Sequence, residues 1–331
     1  MLVSARSWPG ALLVICLLLA PFAVSGQPAK RPHRIGVLDG GFSVGGPTLK
    51  GLKEGLKAEG LVEGQDFLLD IRLTRGGEES PTRLAGELAS GNPNVIFTTG
   101  EVQTKAAAGA VAPRVPIVFA QVSDPVAEGL VASMARPGGR LTGVSDLFAD
   151  LVAKRLELAR ELLPNLRRVL MVYDVQDVKS AAGARRAQEI APQLKLPVVT
   201  RGVRTHEEAV RELQTAGARD VILAPSSNNL EITALVLNLN LYVVAPAIFT
   251  SSFWVQGGGV ASYGVDFVAE GAQAARLVAR ILRGARPEDL PVEGANKIEL
   301  AINRKTAQAF GLTIPTSLQV RADRIFERIG E

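Results

Sequence analysis

Residues 122–147 read VSDPVAEGLVASMARPGGRLTGVSDL. Asp124-Pro125 has the form of a helix start: the carboxylate accepts from free amides of the first turn, and proline there gives up an N–H that had no partner anyway. Pro137-Gly138-Gly139 has the form of a stop. The spacing therefore predicts a helix beginning at Pro125, followed by a short strand, LTGVS. Four strand–helix alternations precede this stretch and a long helix from about Phe148 follows it. A strand in that position marks where the chain passes from one half of the molecule to the other.

Upstream, RIGVL (34–38), FLLDIRL (67–73), NVIFTT (94–99) and VPIVFA (115–120) are short apolar runs. Leu49, Leu52 and Leu56 recur at helical spacing between the first two; Leu84 and Leu88, then an Ala-rich segment from Val102 to Val111, separate the others. Downstream the same grammar starts again: a helix to Leu163 closed by Pro164, RRVLMVYD, a helix over 179–194, LPVVTRGV, a helix from His206, DVILAPS and a helix over 230–239. Continuous Val/Ile/Leu runs separated by helices indicate parallel strands covered on both faces, since one-sided antiparallel strands would alternate. VVAPAIF, GGGVASYG, a helix over 267–282, IELAIN and a helix over 304–310 are too few for a third domain and complete the two sheets already begun. The expected fold class is α/β, with two doubly wound parallel-sheet lobes: residues 33–144 plus 264–288, and 145–263 plus 289–331.

The chain has 331 residues, 47% hydrophobic and 21% charged, enough apolar material for cores in two domains. Arg6 is the only charge before Lys30, and Gly10 to Val24 is a nearly continuous apolar run with small residues at its end, Ala23, Ser25 and Gly26. This is the profile of a cleaved signal peptide over residues 1–26, its apolar part short for a membrane span. Cys16 is the single cysteine and lies within that run, preceded by Ile15, where a lipoprotein site needs a small residue. A mature chain without cysteine uses neither disulfides nor thiolates. The formal charge of +4 is spread among interspersed acids, so no nucleic-acid partner is expected.

The run DPVAEGLVASMARPGGRLTGVSDL with LVAKRLELARELLP closely resembles the signature of a large bacterial family of ABC transporter substrate-binding proteins, the group that includes tryptophan- and tyrosine-type uptake proteins. GLKAEGLVEGQDFLLDIR, VPIVFAQVSDP, GGGVASYGVDF and IELAINRKTAQAFGLTIPTSL extend the resemblance from Arg34 to about Arg321. It implies the type I periplasmic binding fold with three crossover segments and a ligand clamped between the lobes. It also implies a periplasmic monomer that delivers a small organic ligand, an amino acid or a related molecule, to an ABC permease in the inner membrane. An extracytoplasmic sensor of the same fold acting with a membrane receptor is the alternative, and the genes beside this one discriminate the two. The chain departs from the family's habit after the first strand of the second lobe, where it has YDVQDVKS in place of Asn and Pro.

Independently of the resemblance, ligands of open parallel sheets sit beyond the carboxyl ends of the strands, beside helix N-termini. The candidates are Asp39, Gly41 and Phe42 after the first strand, Thr98, Thr99 and Gly100 after the third, and Asp124 after the fourth. In the second lobe they are Tyr173, Asp174, Ser226 and Ser227, with Ser145 and Tyr263 at the crossovers. Asp124 has a purely capping alternative, Gly41 a turn alternative and Tyr263 a packing alternative. No catalytic residue, cofactor or metal is expected. Gly46-Pro47 stands where a phosphate-binding loop needs Lys and Ser/Thr; GVSDL lacks the second glycine of a nucleophile elbow; and His33 and His206 are the only histidines.

Overall fold

The computed structural model describes Met1 and residues 31–41, 44–75, 79–225, 229–242 and 244–330. The chain opens the first sheet with β1 (His33–Asp39), β2 (Phe67–Leu73), β3 (Val95–Thr99), β4 (Ile117–Val122) and β5 (Leu141–Ser145), which pair in parallel. It then builds a second sheet from β6 (Arg168–Asp174), β7 (Val198–Val203), β8 (Asp220–Leu223), β9 (Ala247–Phe249) and β10 (Ala261–Val265). β11 (Glu293–Gly294) returns to the first sheet beside β5, and β12 (Ile298–Asn303) and β13 (Arg324–Phe326) finish the second. The chain thus passes between the sheets after β5, after β10 and after β11. β12 runs antiparallel to β10, the exception to the expected parallel pairing.

The strand orders are β11-β5-β4-β3-β1-β2 and β13-β12-β10-β9-β8-β6-β7. In each sheet the order reverses beside the first-built strand, between β1 and β3 in one and between β6 and β8 in the other. Such a reversal sends consecutive connections to opposite faces and leaves a crevice at the carboxyl ends of the strands. Both faces of the first sheet are buried. Ile35, Val37, Phe97 and Val118 pack with the helices Pro47–Ala58 and Phe267–Leu282, while Leu38, Ile96 and Ile117 pack with Pro81–Ser90 and Glu101–Ala110. The second sheet is covered likewise, by Val152–Leu162 and Val178–Leu194 on one side and His206–Leu213 and Ile232–Leu241 on the other.

Glycine sets one close contact that shapes the site. A Cβ on Gly51 would stand 1.9 Å from the Val268 carbonyl oxygen, and one on Gly271 would stand 2.0 Å from that of Thr48. The helices Pro47–Ala58 and Phe267–Leu282 therefore touch backbone to backbone, which brings the first turn of the second helix against the end of β4.

The segment after Asp124 differs from expectation. Asp124 does cap, its Oδ1 accepting from the Ala127 N–H at 2.9 Å, and the Glu128 N–H reaches the Asp124 carbonyl at 3.0 Å. Gly129 then takes φ 68°, and the chain leaves the helical path after one turn. Leu130, Val131 and Met134 instead pack with Phe119, Val122 and Val292 as a small core at the sheet edge. The capping signal was local and correct; tertiary burial of these side chains decided what followed it.

Candidate functional site

Two polar constellations occupy the carboxyl end of the first sheet. The first is the corner between β1 and β3. Asp39 Oδ1 accepts from the Gly41 N–H and from the Thr99 hydroxyl, both at 2.8 Å, and Thr99 Oγ1 accepts from the Gly40 N–H at 3.0 Å. Thr98, the preceding residue, points to the opposite face, where its hydroxyl pairs with that of Thr104 at 2.8 Å. Gly100 has φ 90° and begins the helix Glu101–Ala110. Asp39, Gly41, Thr99 and Gly100 are therefore brought together, and Thr98 is turned into the packing that holds the helix.

The second constellation forms where β4 ends. The register of β4 against β5 shifts between Phe119 and Val122, and Gln121 sits in the left-handed region at φ 59°. Bulges of this kind re-aim side chains and backbone beside sites. Three polar groups of Gln121 are used. Its N–H donates to Glu270 Oε1 at 2.8 Å, its side-chain amide to the Thr48 hydroxyl, and its carbonyl oxygen accepts from Lys179 Nζ at 3.3 Å.

Lys179 lies in the first turn of the helix Val178–Leu194, on the second sheet, and reaches across to the first. Its ammonium is ion-paired with Asp146, just past β5, with side-chain exposures of 9% and 6%. The Phe148 ring stands 5.6 Å from the same ammonium. Asp146 Oδ1 accepts from the Phe148 N–H at 3.1 Å, so one carboxylate turns the chain and holds the cation. Arg155 backs the group: its Nε donates to the Tyr263 carbonyl at 2.7 Å, and its guanidinium lies 4.7 Å from the centre of the Phe148 ring. A cavity lined by Asp146, Phe148, Arg155, Thr250, Val265 and Phe267 adjoins it.

Burial and mutual charge set the protonation of this group. Burial pushes the Glu270 carboxyl up to about 8, reinforced by Asp146 and opposed by the Gln121 N–H and by Lys179. Burial also raises Glu101, whose Oε1 accepts from the Ser123 N–H at 2.9 Å; Lys179 opposes that rise and Asp146 reinforces it. For Lys179, burial alone lowers the pKa, but Asp146 and Glu101 outweigh it and the net direction is up. Arg155, bonded to no carboxylate among the described residues, is lowered to about 10 by burial. Within this group the Lys179 ammonium is paired with the Asp146 carboxylate, and burial favours the protonated form of Glu270.

The remaining candidates stand apart from this group or at its rim. Asp124 is exposed. Ser145 is buried and donates to the Ser123 carbonyl at 2.7 Å, tying β5 to the loop after β4. Asp174 is buried with its Oδ1 accepting from the Gln176 N–H at 2.8 Å, and the Tyr173 ring lies over Gly202 on the neighbouring strand. Tyr263 contributes its carbonyl to Arg155 and packs at the edge of the second core. Phe42, Ser226 and Ser227 lie outside the described residues. Glu101, Gln121, Asp146, Lys179 and Glu270 were not anticipated. One signal was available: YDVQDVKS, the stretch in which the chain departs from the family's pattern, ends on Lys179-Ser180.

Among the described residues no group of three or more His, Cys, Asp or Glu side chains is disposed to hold a metal ion, and no helix is long and apolar enough to cross a membrane. The family described as ABC transporter substrate binding protein matches the chain over residues 46–326. A tyrosine-binding protein of Clostridioides difficile is 27% identical over 268 residues, covering 80% of this chain and 76% of its own. A crystal structure of a conserved domain protein from Vibrio cholerae superposes with a TM-score of 0.80 at 28% identity, over 89% of this chain and 100% of the other. An ABC domain in complex with L-Trp from Streptococcus pneumoniae gives a TM-score of 0.80 at 25% identity with the same coverage. With the two sheets and their strand orders, these likenesses establish the type I periplasmic binding fold.

Proposed function

Because the chain belongs to the ABC transporter substrate-binding protein family, we propose that it is the extracytoplasmic solute-binding component of an ABC importer. On this reading it captures a small organic molecule, an amino acid or a close relative of one, between its two halves and hands it to an inner-membrane permease. The observation that carries the reading is Lys179: a polar side chain from the second sheet meets Gln121 and Asp146 at the strand ends of the first. Groups from both halves converge where open parallel sheets bind their ligands. The names of two relatives, one tyrosine-binding and one in complex with L-Trp, favour a ligand of amino acid size.

The mechanism needs no bond-making step. The Asp39–Thr99 corner supplies hydrogen-bonding groups from one half, and the second half closes over the ligand by rotation about the passages after β5, β10 and β11. A ligand that touches both walls only in the closed arrangement shifts the population toward closure by its differential affinity. Export by the N-terminal apolar segment places the mature chain outside the inner membrane, as a monomer on this reading; sequencing the N-terminus of the exported protein checks cleavage near Gly26.

The direct test is a thermal-shift screen of amino acids and small organic acids. A ligand present at about 100 times its dissociation constant stabilises the folded chain by about 2.7 kcal/mol. A reproducible rise in Tm for one chemical class supports the reading; a broad panel without any rise overturns it.

A further inference from the structure

The surroundings of the Lys179 ammonium have the composition of an amine-recognition site. A carboxylate (Asp146), a backbone carbonyl (Gln121) and an aromatic face (Phe148) converge on one cation, and all lie on or just past strands of the half opposite to the lysine. Carboxylate, carbonyl and π-face are the three groups that proteins use to replace the hydration shell of an ammonium. Here the occupant is the chain's own side chain. Glu270 borders the same group, 1% exposed, and its Oε2 has no hydrogen-bond partner among the described residues. A buried carboxyl oxygen left without a partner marks a place built around a polar guest.

We infer that Lys179 fills the seat a ligand's α-ammonium would take, so that this protein selects organic acids of amino acid size that carry no free amino group, α-keto acids foremost. The inference rests on the binding-protein reading above and narrows its ligand. Two physical points support it. A ligand ammonium brought beside the buried lysine meets a like charge in a water-poor setting, whereas an uncharged α-carbon substituent does not. An ammonium also has three N–H donors, and among the described residues Lys179 uses two of them, on Asp146 and Gln121. The donor left over suits an oxygen acceptor on the ligand, a carbonyl or a carboxylate.

The test titrates the purified chain with matched pairs: L-tyrosine, L-tryptophan, L-leucine and L-glutamate, each against its own α-keto analogue, by calorimetry and by thermal shift. In at least one pair the keto acid is expected to bind about tenfold or more tighter than the amino acid. Lys179→Met, similar in length and uncharged, is expected to move that ratio about tenfold toward the amino acid by freeing Asp146 for its ammonium. An amino acid that binds the wild-type chain as tightly as its keto analogue, or a ratio unchanged in Lys179→Met, overturns the inference while leaving the binding-protein reading intact. If neither member of any pair binds, the inference falls, and the broad screen above decides the binding-protein reading. The wild-type ratio requires no variant and decides alone should Lys179→Met fail to fold by circular dichroism.

Discussion

The corner at Asp39 and Thr99 and the seat around Lys179 lie at the same edge of the same sheet, yet they are built in opposite ways. The corner is assembled from the ends of two adjacent strands and held by hydrogen bonds of 2.8–3.0 Å among Asp39, Gly40, Gly41 and Thr99. The seat gathers Glu101, Gln121, Asp146, Lys179 and Glu270 from five separate places in the chain and binds a buried ion pair to a strained residue at φ 59°. Groups at the corner keep their ordinary roles in a turn. At the seat Glu101, Lys179 and Glu270 are shifted from their ordinary pKa values by burial and by one another's charge. On the proposed reading, ligand specificity resides where charge is desolvated, while the corner supplies hydrogen-bonding groups.

Breaking the ion pair tests this contrast most strongly. Asp146→Ala leaves the Lys179 ammonium buried without its partner and is expected to lower stability by about 3–5 kcal/mol in urea denaturation. Asp146→Asn combined with Lys179→Met removes both charges and should recover much of that loss. A loss below about 1 kcal/mol for Asp146→Ala would mean the pair behaves as a solvated surface bridge, and the contrast would vanish.

The pH dependence gives a smaller and differently shaped effect. Glu270 is lifted from 4.5 to about 8 in the folded chain, so between these values the folded state holds a proton that the unfolded state has released. Stability contributed at this position therefore falls as pH rises through that window and levels off above about 8. Glu270→Gln keeps an oxygen to accept from the Gln121 N–H and cannot ionise. Relative to the variant, the wild-type chain should lose stability of order a few kcal/mol between about pH 5 and pH 8. Parallel Tm profiles for the two proteins over that range would show that Glu270 titrates normally.

At the corner the expected effect is the smallest. Thr99→Val keeps the shape of the buried side chain and deletes the hydroxyl that donates to Asp39 and accepts from Gly40. The cost is about 1 kcal/mol with no pH dependence near neutrality. A cost as large as that of Asp146→Ala, or a pH-dependent one, would erase the distinction between the two constellations.

Local pattern was a good guide wherever a short window held the whole cause. The alternation of apolar runs and helical stripes from Arg34 onward matches the strands β1 to β10 and the helices between them, apart from the short helix Ser252–Gln256 and the one expected after β4, because strand and helix periods are properties of consecutive residues. The corner was legible for the same reason: Asp39 and Thr99 are each the last residue of a strand. The helix beginning at Pro125 was misjudged because its capping signal is local, whereas its end is decided by Gly129 and by the side chains buried against Phe119 and Val292. The antiparallel placement of β12 was equally invisible, since strand direction depends on which side of the molecule the chain returns from.

The sequence alone determined the class of fold, the reuse of one strand–helix grammar in two halves, and the apolar N-terminal segment with the single cysteine inside it. Tertiary structure alone decided that Lys179 meets Asp146, that Gln121 is bulged to serve three partners, and that Thr98 turns away while Thr99 turns in. The reason is physical: secondary structure follows from periodicity within a few residues, whereas the state of a charge follows from everything packed around it, and those neighbours are drawn together only by the folded sheets.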